Sequence, residues 1–115
     1  MESILTSVKK QLGIVEEYEH YDVDLITHIN SVFMTLNQIG VGPKEGFRIE
    51  DKLATWNDFI STENLNYEAV KSYLPLKVKL IFDPPDRSAV MEALKNNIYE
   101  MEFRLNLAAE TDKSG

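Results

Sequence analysis

The chain has 115 residues, enough for one domain with a modest core, and its 43% hydrophobic and 27% charged residues are those of a folded protein rather than a disordered one. It contains no cysteine, which removes disulfides, thiolate metal sites and cysteine nucleophiles and leaves packing alone to hold the fold. Nineteen acidic against twelve basic residues give a net charge of −7, without the basic face that phosphate neutralisation requires of autonomous nucleic-acid binders.

The first predicted helix covers Ser3 to Leu12, with Ile4, Leu5, Val8 and Leu12 on its buried face and Gly13 after its end. This stretch lacks the uninterrupted apolar run of a signal peptide, and no window reaches the length of a membrane span, so an intracellular protein is the expectation. An acidic connector follows, Glu16-Glu17-Tyr18-Glu19-His20-Tyr21, solvated and with two aromatic anchors. Asp22 is expected to cap the second helix, and Asp24 places negative charge in its first turn. Leu25, Ile29, Val32, Leu36 and Ile39 recur at steps of four and three, and Gly40 with Gly42-Pro43 ends the helix.

Gly40 to Ile49 reads as a shaped glycine-rich loop, and Leu53, Trp56, Phe59 and Ile60 predict a short helix over 55–60. A fourth helix is predicted over 66–82, carrying Tyr67, Val70, Tyr73, Leu74, Val78 and Ile81 inward. Pro75 in its middle removes a backbone hydrogen bond, so a kink or a break is expected near Ser72 to Leu74. Pro84-Pro85 closes that helix and opens the fifth, predicted over 85–109, because proline is tolerated in a first helical turn. Met91, Leu94, Ile98, Met101, Leu105 and Ala108 form a heptad-like seam along it, and a frayed tail is expected from about Glu110. The predicted fold is therefore all-α: a single domain over 1–115, a small bundle of about five helices with one glycine-rich loop and a helix kinked at Pro75.

The reactive side chains form no recognisable constellation. His28 follows Asp24 by one helical turn, but a metal site needs three or four converging ligands, and no other spacing supplies them. The carboxylates around Glu16 to Asp24 and at Glu100, Glu102 and Glu110 fall in a connector or on a polar helix side, where solvated charge accounts for them. Gly40-Val41-Gly42-Pro43-Lys44 follows a helix, lacks the hydroxyl residue of a phosphate loop and puts proline where a donor is needed. The serines lack the context of a nucleophile elbow. No catalytic residue, cofactor or metal is expected, and the chain reads as one that assembles with other proteins. Trp56 is either a core plug or an interface anchor, and Tyr18, Tyr21, Val41 and Phe47 lie in connecting segments where an apolar side chain must fold back or meet a partner.

The strings Lys-Gln-Leu-Gly-Ile (10–14), Asp-Leu-Ile-Thr-His-Ile-Asn-Ser-Val-Phe (24–33), Leu-Asn-Gln-Ile-Gly-Val-Gly-Pro (36–43), Ala-Thr-Trp-Asn-Asp-Phe (54–59), Tyr-Leu-Pro-Leu-Lys-Val-Lys-Leu-Ile-Phe-Asp-Pro-Pro (73–85) and Met-Glu-Phe-Arg-Leu-Asn (101–106) together resemble the small head–tail connector (adaptor, or head-completion) proteins of tailed bacteriophages and prophages. The resemblance lies in their order and spacing, since none is a mechanistic motif. It implies a non-enzymatic virion protein of the neck, assembled in the bacterial host cytoplasm. Such a subunit forms a ring beneath the portal protein, extends the DNA channel and docks the tail. Its implied partners are the portal, neighbouring copies of itself and the next neck or tail-completion protein, with DNA passing unread and no membrane involved. By position, the resemblance assigns portal contact to 104–115, including Arg104 and Leu107, and neighbour contact to the 40–47 loop, including Val41, Pro43 and Phe47. Without the resemblance, a small cytosolic helical regulatory or protein-binding module fits the same residues.

Overall fold

A computed structural model describes residues 2–114 of the chain, with side chains through Glu110. The architecture follows from five amphipathic segments: α1 (Ile4–Gln11), α2 (Asp22–Ile39), α3 (Trp56–Phe59), α4 (Tyr67–Phe82) and α5 (Ser88–Ser114). Among the described residues there is no strand, only an isolated antiparallel bridge between Ser3 and Thr55.

Local chemistry sets the helix ends. Ser3 caps α1 by accepting from the Thr6 N–H at 3.2 Å, and Thr55 and Asp58 form a capping box around α3. The cap of α2 departs from expectation. Tyr21 occupies that position without a side-chain bond, and Asp22 is the first helical residue. Its carboxylate is drawn instead to the buried Lys9 ammonium, 2.8 Å away. α5 also starts later than the proline pair suggests. Pro84 and Pro85 lie in the connection, Ser88 begins the helix, and the helix continues past Glu110 to Ser114. α4 is unbroken through Pro75, whose ring is buried among core residues. Packing on both flanks holds the chain helical there, although an interior proline deprives the preceding turn of one hydrogen bond.

α4 is the hub, packed against α1, α2 and α5, while α2 also meets α1 and α5. The molecule measures 43 × 36 × 20 Å, and its thin dimension is that of two helix layers. Leu25, Ile29, Val32, Phe33 and Leu36 from α2 and Val70, Tyr73, Leu74 and Val78 from α4 fill the space between the layers. Ile4, Leu5 and Val8 close one side, and Ile98, Leu105 and Ala109 close the other. The predicted inward faces are those observed, except that Ile81 is 44% exposed at the end of α4.

One polar link fastens α5 to α4. The Tyr73 hydroxyl, on a fully buried side chain, donates to Glu102 Oε2 at 2.6 Å, and Lys77 Nζ reaches the same oxygen at 3.0 Å. Burial first, then the hydrogen bond to Glu102 and the charge of that carboxylate, push the phenol far above its ordinary value of about 10. The unfolded chain releases this proton near pH 10, whereas the folded chain keeps it, so folding stability is complete below that pH and falls above it. Urea titrations should show a loss of up to about 1.4 kcal/mol per pH unit from this group above pH ~10. Tyr73→Phe should flatten that alkaline limb at a cost near neutrality of about 1 kcal/mol.

Candidate functional site

Two surfaces carry the residues singled out by sequence. The first is the loop after α2. Gly40 closes the helix in the left-handed conformation, at φ 100°, and its N–H and that of Val41 both reach back to the Leu36 carbonyl. Asn37 Nδ2 donates to the Pro43 and Lys44 carbonyls at 3.1 and 3.3 Å. Further on, Asn30 clasps Ile49 through both its amide groups, at 2.9 and 2.8 Å. Gly42 sits at φ +92°, and a Cβ there would lie 2.4 Å from the Phe59 ring, so no larger residue fits without moving the core. The loop is thus shaped against α2 from end to end.

That shaping decides which loop residues face outward. Val41 is 4% exposed and belongs to the core. Phe47 is half-buried, edge-on to Phe33 at 5.0 Å and 5.3 Å from Phe59. Pro43 is also half-buried, leaving Lys44 and Glu45 at the tip. Trp56 is 1% exposed, with its indole N–H donated to Ser7 Oγ at 3.1 Å, so the chain uses it as a core plug between α1 and α4. In this fold Val41 and Trp56 have no face left for a partner.

The second surface is the outer side of α5. Its seam residues turn inward as the heptad pattern predicts, with Ile98 and Leu105 buried and Met91, Leu94, Met101 and Ala108 half-buried. A second apolar series, Tyr99, Phe103 and Leu107, recurs every four residues on the opposite side and is 61%, 66% and 50% exposed. Arg104 lies beside it, ion-paired to Glu100 one turn earlier. Among Val41, Pro43, Phe47, Trp56, Arg104 and Leu107, the last two are thus the ones exposed on a regular element. Tyr99 and Phe103 escaped the sequence reading because the seam absorbs the obvious periodicity. Their signal was a separate spacing of four, offset by about half a turn.

Among the described residues no three His, Asp or Glu side chains converge as a metal site, and no helix is long and apolar enough to cross a membrane. A model of the phage connector protein family matches residues 4–112, from the first residue of α1 to near the end of α5. The chain belongs to the phage connector protein family. Comparison with curated proteins and comparison with solved structures each found no match. Membership fits the all-helical fold and makes the chain a component of a structural protein family of the virion.

Proposed function

We propose that this phage connector protein is a head–tail connector subunit. It forms a ring beneath the portal, extends the DNA channel and provides the docking surface for the next neck or tail protein. The family match over residues 4–112 carries this reading. The exposed Tyr99–Phe103–Leu107 stripe with Arg104 supports it, because a long helix that buries one face at home and keeps a second apolar face in solvent is suited to an intermolecular contact. The half-buried Pro43 and Phe47, held on a rigid loop, supply a second contact for a neighbouring copy. A net charge of −7 suits a conduit, since an acidic wall repels the DNA backbone and lets it slide without sticking.

The test is assembly on the cognate portal, followed by native mass measurement and negative-stain imaging. The wild type should add a ring to the portal. Phe103→Asp, at an exposed position, should weaken that assembly by at least about tenfold while leaving helicity and thermal midpoint nearly unchanged. A protein that stays strictly monomeric and ignores the portal would sink the proposal.

A further inference from the structure

Between α3 and α4 the chain holds a leucine out of the protein. Leu65 is 98% exposed, more than any other large apolar side chain among the described residues. The turn that carries it is fastened on both sides. Ser61 Oγ accepts from the Glu63 N–H at 3.2 Å, Asn64 Oδ1 from the Asn66 N–H at 2.8 Å, and the Asn64 carbonyl from the Tyr67 N–H at 3.1 Å. Leu65 is therefore a preformed knob, and little chain entropy is lost when it is covered.

A groove suited to such a knob lies at the end of α1. Its volume is about 510 Å³, and it is lined by Thr6, Lys10, Gly13, Ile14 and Val15, with Glu16 and Glu17 beyond them. Most of the surface it presents is apolar, and Val15 is 65% exposed. Gly13 keeps it open, since nothing lies within 4 Å of the place a Cβ would take.

Knob and groove sit at opposite ends of α2. Asn64 and Asn66, on either side of Leu65, share a cleft with Gly40, Val41 and Gly42 at the end of that helix. Lys9 ties the residues after α1 to Asp22 at its start. The 18 residues of α2 set these ends about 27 Å apart, so within one copy the knob cannot reach the groove. The charges at the two ends can be matched between copies. Glu63 stands beside the knob and Lys10 lines the groove, while Lys44 tips the loop at the knob's end and Glu16 and Glu17 lie at the groove's. None of these side chains makes an ion pair among the described residues.

We propose that Leu65 of one copy inserts into the Gly13–Val15 groove of the next, with Glu63 against Lys10. A contact between two different patches is heterologous and runs head to tail, and such contacts make rings when the rotation between copies closes. The inference deepens the ring reading above and rests on it.

The chain has no cysteine, so Val15→Cys with Leu65→Cys introduces its sole thiols. Oxidised at high concentration and on the portal, this double variant should give a ladder of cross-linked oligomers, because a disulfide needs Cα atoms within about 7 Å. Either single variant should cross-link only in trace, but a mixture of the two should give a dimer. In the double-cysteine background Lys10→Glu should cut the ladder by about fivefold, and adding Glu63→Lys should restore it. A ring on the portal without the ladder overturns this contact and leaves the connector reading standing, whereas neither ring nor ladder overturns both. Equally fast dimers from Leu65→Cys alone, or a charge swap that restores nothing, also overturn it.

Discussion

Trp56→Ala should lower the folding free energy by about 3–5 kcal/mol, the cost of emptying a fully buried aromatic site. The indole is 1% exposed, and its removal opens a cavity between α1 and α4 while stripping Ser7 Oγ of its donor. The loss spreads because the residues just before Trp56 anchor the N-terminus. The Ile4 N–H donates to the Ala54 carbonyl at 3.0 Å, and Thr55 bridges Ser3. Domains of this size are stable by about 5–15 kcal/mol, so one substitution should remove a large share of the total. A urea midpoint lowered by about 2 M, followed by far-ultraviolet circular dichroism because the only tryptophan is gone, is the expected result. Trp56→Phe should fall well short of that. A shift below about 0.5 M for Trp56→Ala would mean that the site collapses without penalty.

Lys9→Met should cost about 3 kcal/mol, although it keeps an unbranched apolar stem in place. The Lys9 side chain is 3% exposed, and its ammonium sits between Asp22 Oδ1 and the Glu16 carbonyl, each 2.8 Å away. Asp22 Oδ1 is itself buried and has no aligned hydrogen bond among the described residues, so the charge of Lys9 is what compensates it. Removing that charge leaves a carboxylate at the start of α2 without its partner and frees the connector that Glu16 anchors. A thermal midpoint lowered by about 10 °C is expected. Adding Asp22→Asn should restore part of the loss, with a coupling energy of at least about 1 kcal/mol. Purely additive effects would show that the pair contributes nothing beyond its separate side chains.

Most of the helical layout was legible in the spacing of apolar residues, because helix formation is written locally. Leu25 to Ile39 and Met91 to Ala108 repeat at three and four residues, and that alone assigns their inward faces. Gly40 at the end of α2 and the turn residues after it were equally readable. Pro75 lies inside one continuous helix, as the single span over 66–82 had it, whereas Pro85 lies three residues before α5 and not in its first turn.

What the sequence settled by itself is the class of molecule: a cysteine-free, acidic, all-helical domain whose order of segments marks it as a phage connector protein. Burial of particular side chains was decided only by the tertiary structure. Lys9 and Lys10 are adjacent and chemically identical, yet one is sealed and the other is exposed, because only Lys9 meets the Asp22 carboxylate and the Glu16 carbonyl once α1 packs on α2 and α4. Val41 and Trp56 went into the core and Tyr99, Phe103 and Leu107 stayed out for the same reason. A helix announces its apolar faces through contacts a few residues apart, but which face is covered depends on segments far away in the chain. The order of segments along the chain therefore pointed to the family, and the fold decided which face of each helix stays at the surface.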